Sequence, residues 1–190
     1  MKKELPLKSG LVENVRFFMG NGQTVLVSCS NKKGTTKNVL TVTWVTPTSF
    51  QPLLFLISIG KGEKGEGTYR FSYRLIEESR EFVINVPTID LKEKVLQAGC
   101  IHGESMDKFK EIKLTPIKAK ITAAPLIEEC ILNIECRVVK EFETGDHVVF
   151  VGEAVAIHYN EDVMTEDGFS NKYKQKSNMV HIVDLLEEKI

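Results

Sequence analysis

The stretch ILNIECRVVKEFETGDHVVFVGEAVAIHY, residues 131–159, decides the fold. Its two ends, 131–142 and 147–159, alternate apolar and polar residues with the period of two that a half-buried strand imposes. Between them Glu143-Thr144-Gly145-Asp146 is short and turn-rich, which predicts a hairpin of two long antiparallel strands. A chain organised round such a hairpin belongs to the β-rich classes, not to repeated β-α-β units with a parallel sheet.

Working outward, TVLVSC (24–29) is a strand preceded by the turn pair Asn21-Gly22, and 31–34 is a polar turn. NVLTVTWV (38–45) has the β-branched and aromatic content of a strand. LLFLISI (53–59) is a continuous apolar run whose length suits a strand buried on both faces. A short helix is predicted over 71–78 and a strand over EFVINV (81–86). Asp90 in an N-cap position, with Glu93 three residues on, predicts a second helix that stops at Gly99. One or two helical turns are expected within 105–111, and a last strand near 179–183. The reading is one mainly β domain over residues 1–190, a barrel with a few short helices, with 160–190 as a C-terminal extension.

Composition narrows the function. With 42% apolar and 27% charged residues and a formal net charge of −1, the chain has no electrostatic footprint for nucleic acid or an anionic membrane. No run approaches the ~18 apolar residues that span a bilayer. The basic start MKKELPLKSG lacks the apolar stretch of a secretory signal, so a cytoplasmic location is expected. Cys29, Cys100, Cys130 and Cys136 form no C-x-x-C pair and have no zinc spacing, so no metal site is expected. Cys130 and Cys136 lie in strand-like sequence, where cysteine acts as a small buried hydrophobe. No Ser-His-Asp or paired-carboxylate constellation stands out.

ISIGKGEKGEG (57–67) raises an alternative, because Gly60, Gly62 and Gly65 match the G-x-G-x-x-G dinucleotide fingerprint. That turn needs its third glycine inside the first turn of a helix, with the N-terminus facing phosphate. Gly67 breaks a helix where it should begin, and Glu63 and Glu66 would set two carboxylates beside a pyrophosphate. A Rossmann-type NAD(P) enzyme is therefore the remote alternative to a charged surface loop.

Four stretches, NVLTVTWVTPTSFQPLLFLISIG (38–60), SYRLIEESREFVINVPT (72–88), DKF (107–109) and APLIEECILNIECRVVKEFETGDHVVFVGEAVAI (124–157), occur in an order that resembles the flavin reductase-like, FMN-binding split-barrel family, and within it the flavoredoxin branch. The resemblance makes 61–67 an insertion. It implies a Greek-key split β-barrel, one FMN held non-covalently per subunit, and a homodimer. It also implies transfer of hydride or electrons from NAD(P)H or a protein partner. The flavin carries the chemistry, so no catalytic side chain is required. A non-catalytic FMN-binding electron carrier is the alternative.

The positions that the resemblance assigns to FMN are Asn38, Val39, Leu40, Thr41, Thr43, Trp44, Ser58, Arg70, Ser72, Lys108 and His147. Arg70 and Ser72 suit a phosphate, and Asn38 suits a carbonyl-and-imide edge or ribityl hydroxyls. Lys108 and His147 would tune the reduced ring by offering cationic donors. Each has a plainer alternative: an exposed arginine, an N-cap serine, a strand-entry asparagine, a solvated lysine and a turn-flanking histidine. For Trp44 that alternative is the barrel core. His102-Gly103-Glu104 departs from a Ser-Gly-Arg-like stretch, which predicts a reversed charge near the site.

Overall fold

The computed structural model describes residues 2–4, 23–62, 69–165, 168–170, 172 and 180. In chain order the strands are β1 (Lys2–Glu4), β2 (Val25–Ser30), β3 (Lys37–Val42), β4 (Val45–Ser49), β5 (Leu54–Gly60) and β6 (Glu81–Val86). The short β7 (Pro116–Ile117) and β8 (Leu126–Ile127) follow, then β9 (Leu132–Thr144) and β10 (His147–Asn160). The helices are α1 (Phe71–Ser79), α2 (Lys92–Cys100) and α3 (Lys108–Glu111). The predicted hairpin is β9–β10, turned at Gly145 and Asp146, with Gly145 at φ +55° where a side chain would be strained.

Sheet order is β3-β2-β6-β9-β10-β5-β4, with β1 added to β10, and every one of these pairs is antiparallel. The consecutive strands β3 and β4 lie at opposite ends of this order, although only Thr43 and Trp44 separate them. Three Cα steps reach about 11 Å at most. The sheet must therefore curl until its edges meet, and the Trp44 carbonyl accepts the Ser58 N–H of β5 at 2.9 Å where they do. The result is a β-barrel split along β3. An antiparallel sheet of this kind excludes the Rossmann alternative. Gly60 is the last residue of β5, Gly62 lies just beyond it, and Gly65 falls outside the described residues.

Phe55, Phe82, Phe150, Ile57, Ile84 and Ile134 fill the barrel. Helix α1 plugs one end, its Tyr73, Leu75 and Ile76 joining that core. Outside, Leu26 and Val39 are covered by Leu91, Val95 and Ala98 from the α2 region and by Phe109 of α3. With both faces covered, β2 is buried along its whole length. On β9, by contrast, Val139 and Phe142 are exposed, at 52% and 41%.

Several local expectations are corrected. The run 38–45 is two strands, because the crossover at Thr43 and Trp44 interrupts it. The run 53–59 alternates buried and half-buried residues; Phe55, Ile57 and Ile59 face the core while Leu54 and Leu56 do not. Asp90 caps nothing: a 3-10 turn at Ile89–Leu91 leads into α2, Leu91 is the cap residue, and the helix runs to Cys100. The turn pair Asn21-Gly22 lies outside the described residues. Of the strand expected near 179–183 only buried Val180 is described, its carbonyl accepting the Thr24 N–H at 2.9 Å. Cys29, Cys130 and Cys136 are buried thiols and Cys100 is an exposed one.

Candidate functional site

Where the barrel splits, a cleft of about 480 Å³ opens between β3, the ends of β5 and β10 and the start of α1. That lies within the ~300–1,000 Å³ usual for small-molecule sites. Leu40, Thr41, Thr43 and Trp44 line it from β3 and the crossover, together with Ser58, Arg70 and His147. These residues are far apart in sequence and the barrel closure brings them together. Gly60 and Gly62 of the glycine match line it as well, and so do Lys61 and Asp146, which the sequence does not mark as site residues.

Trp44 is not core. It is 57% exposed, and its ring stacks on His147 with centroids 4.5 Å apart and planes 28° from parallel. His147 Nδ1 lies 2.8 Å from an Asp146 carboxylate oxygen, which leaves Nε2 as the ring nitrogen on offer. A Cβ built on Gly60, itself a lining residue, would lie 3.6 Å from Nε2, so that nitrogen borders the cleft.

Arg70 is the residue before α1, and its side chain makes no cap hydrogen bond. Among the described residues no carboxylate pairs with its guanidinium, and the first turn of α1 holds no acid. Free helix N–H groups and an unpaired guanidinium therefore meet at one edge of the cleft, an arrangement that favours an anion. Lys61 is already committed, with its ammonium 2.7 Å from Glu143.

Four predicted residues lie behind this surface. Ser72 is not the helix cap; it is the second residue of α1, buried, and accepts a hydrogen bond from Asn38 Nδ2 at 2.8 Å. Asn38 is 2% exposed and its Oδ1 has no partner among the described residues. The Gly103 backbone covers it so closely that a Cβ there would come 2.1 Å from Oδ1. Val39 is wholly buried. Lys108 is a buried lysine, not a solvated one, and donates to the Ala98 carbonyl at 2.7 Å, near the C-terminus of α2. Burial brings its ammonium down to about 8, opposed by Cys29 and reinforced by the Arg70 charge. Burial likewise pushes the Cys29 thiol up to about 12. Thr41 lines the cleft, but its hydroxyl donates to the Val95 carbonyl at 2.5 Å and so ties β3 to α2. Glu104 does not line this cleft and pairs with Arg74 at 2.5 Å.

A second polar constellation, absent from the sequence reading, lies away from the cleft. Glu135 is wholly buried and accepts backbone N–H groups from Lys120 (2.9 Å), Ile121 (2.8 Å) and Thr122 (2.7 Å), with His158 Nε2 at 2.7 Å. Burial alone would raise its pKa, but these four bonds outweigh it and hold the carboxyl at about 2. The group anchors the segment before β8 to β9. Among the described residues no three His, Cys, Asp or Glu side chains gather as a metal site, and no helix is long and apolar enough to cross a membrane.

Residues 18–176 match the flavin reductase like domain, and the chain belongs to that family. An uncharacterized protein of Archaeoglobus fulgidus is 43% identical over 124 residues, covering 65% of this chain and 66% of that relative, just under two thirds of its length. Among solved structures, flavoredoxin from Methanosarcina acetivorans is similar at TM-score 0.68 and 27% identity, over 79% of this chain and 75% of that one. An FMN-binding domain of a flavin reductases-like enzyme from Shewanella baltica matches in fold at TM-score 0.72 and 16% identity, over 96% of this chain and 94% of that one.

Proposed function

We propose that this protein is a flavoprotein oxidoreductase of the flavoredoxin and flavin reductase type, holding one FMN non-covalently in the 480 Å³ cleft. The observation that carries the reading is the unpaired Arg70 guanidinium beside the acid-free N-terminus of α1, on the rim of a cleft walled by a Trp44–His147 stack. A phosphate group fits the first and a flat ring fits the second. Family membership supports the same assignment.

Bound flavin supplies hydride and one-electron transfer. The chain's residues bind and orient it. Arg70 and the first N–H groups of α1 hold the phosphate, and Ser72 acts indirectly by fixing Asn38. Edge strand β3, with a strand neighbour on one side only, offers backbone donors and acceptors from Val39 to Thr43. Thr43 and Ser58 add hydroxyls. His147 Nε2, set by Asp146, is the polar group on the wall beside Trp44. Lys108 supplies a buried positive charge from behind the site. NAD(P)H is the electron donor in this reading, working in the cytoplasm, and a protein partner is the alternative donor.

The functional unit is a homodimer. The sheet register places Phe142, Val149, Ser58 and Trp44 in one row across β9, β10, β5 and the crossover. Phe142 is 41% exposed and Val139 52%, both on β9. That apolar face runs to the mouth of the cleft, and a second copy of the chain is the occupant that would bury it.

The test is anaerobic mixing of the FMN-loaded protein with NADH or NADPH while flavin absorbance is followed. Rapid bleaching by either nucleotide supports the oxidoreductase. Slow bleaching by nucleotide, with rapid electron transfer to the flavin from a reduced ferredoxin-type protein, would identify an electron carrier instead.

A further inference from the structure

A second and larger cleft, of about 910 Å³, lies on the other side of the Asn38–Gly103 contact. Phe71 lines it, while its neighbour Arg70 lines the smaller cleft; Lys37 lines it, while Leu40 on the same strand lines the smaller one. Thus β3 presents Lys37 to the larger cleft and Leu40, Thr41 and Val42 to the smaller one, and the start of α1 divides Phe71 and Arg70 between them.

Its lining has a definite chemistry. Lys37, Lys110 and Lys113 face Glu104 and Asp107. Both acids are already engaged. Glu104 is held by Arg74 at 2.5 Å, and Asp107 caps α3 through the Lys110 N–H at 3.4 Å and pairs with the Lys110 ammonium at 3.5 Å. Lys37 and Lys113 pair with no acid among the described residues. Lys113 is also held at φ +55°, a conformation that a lysine rarely adopts. Its N–H bonds the Lys110 carbonyl at 3.3 Å and its own carbonyl accepts the Lys94 ammonium at 2.5 Å, so the backbone beneath this cation is fixed. This left-handed residue closes the C-terminus of α3, with the Leu114 N–H reaching back to the Phe109 carbonyl at 2.9 Å. Apolar surface comes from the Phe71 ring and from Met106, which is 47% exposed. The volume is far larger than a lone phosphate requires.

We propose that this second cleft binds a phosphorylated nucleoside, with Lys37 and Lys113 taking the phosphates and Phe71 and Met106 flanking the base. If the protein is the proposed oxidoreductase, the adenosine phosphate half of a pyridine dinucleotide is the ligand of this class at hand. That identification rests on the functional reading, whereas the nucleotide site itself does not.

Calorimetric titration of the FMN-loaded protein with ADP tests the site. It is repeated with the Lys37→Glu, Lys113→Glu double variant, with inorganic phosphate, and with excess FMN. The expected result is binding of ADP at one site per chain that weakens with salt, and weakens about tenfold or more in the double variant through lost charge attraction. FMN content stays unchanged in that variant, which shows that it folds. Failure of ADP to bind would overturn the proposal. So would an unaltered affinity in the variant, inorganic phosphate binding as tightly as ADP, or displacement of ADP by FMN, which would place the nucleotide in the smaller cleft. A protein that takes up no FMN yet binds ADP in this lysine-dependent way would sink the flavin reading and leave this site standing.

Discussion

Trp44 and His147 stack face to face across the split of the barrel, 4.5 Å between centroids, one from the β3–β4 crossover and the other from the first position of β10. The contact joins the two chain segments whose meeting makes the cleft. Trp44 is the sole tryptophan, so its fluorescence reports on the site alone. Adding FMN is predicted to quench that emission strongly. His147→Ala should shift the emission of the free protein and weaken FMN by about tenfold, the ~1.4 kcal/mol of a lost aromatic and polar contact. Unchanged emission on saturation with FMN would place the flavin elsewhere.

Arg70 is assigned to the phosphate, and the assignment separates two ligands. Arg70→Ala should weaken FMN by about 1.5–3 kcal/mol, the range for a hydrogen bond to a charged group. Riboflavin, which lacks the phosphate, should bind both proteins alike. Equal losses for both ligands in equilibrium titrations would remove Arg70 from the phosphate site.

Gly103 is required where it lies. A Cβ there would sit 2.1 Å from Asn38 Oδ1 and 2.8 Å from Nδ2, with the asparagine fixed from below by Ser72. Gly103→Ala is predicted to cost about 1–3 kcal/mol, the usual penalty for overpacking. Chemical denaturation measures it, and a loss below a few tenths of a kcal/mol would mean that the turn moves freely off Asn38.

Glu135 sets the acid limb of stability. Its folded pKa of about 2 lies below the ordinary 4.5, so its contribution is complete above pH ~4.5 and is lost as pH falls toward 2. A shift of that size corresponds to on the order of 3 kcal/mol. Glu135→Gln should be destabilised at pH 7 and show a flatter stability profile between pH 5 and 3. Parallel profiles for the two proteins in urea titrations would contradict the assignment.

Phe142 reports on the proposed dimer face. Phe142→Glu is predicted to convert a dimer to a monomer in light scattering, because it places a charge in the row that runs to Trp44. A wild-type protein that is itself monomeric at micromolar concentration would refute the dimer outright.

Much of this architecture was legible because its signals are local. The β9–β10 hairpin announces itself by period-two alternation around Gly145, whose positive φ the turn requires. The end of β3 did not, since the β-branched run continues through Thr43 and only tertiary closure breaks it. Trp44 resembled core for the same reason: an aromatic in a strand carries no mark of which side of a crossover it falls on. In the site, Arg70 and His147 were placed by resemblance and the structure set them on one cleft. The burial of Lys108 and Ser72 is not legible locally, because the carbonyl and amide that engage them come from residues 98 and 38. Glu135 was overlooked altogether. Its position on the outer side of a strand reads as solvent-facing, and the backbone groups that bind it lie 13 to 15 residues away. The segment 120–122 carries no side-chain signature of that role.

The most direct test of the central claim is the flavin content of the purified protein, by visible spectrum and chromatography of the released cofactor. The account predicts one FMN per chain, retained on gel filtration and lost in Arg70→Ala. A colourless protein that takes up no added FMN would contradict it.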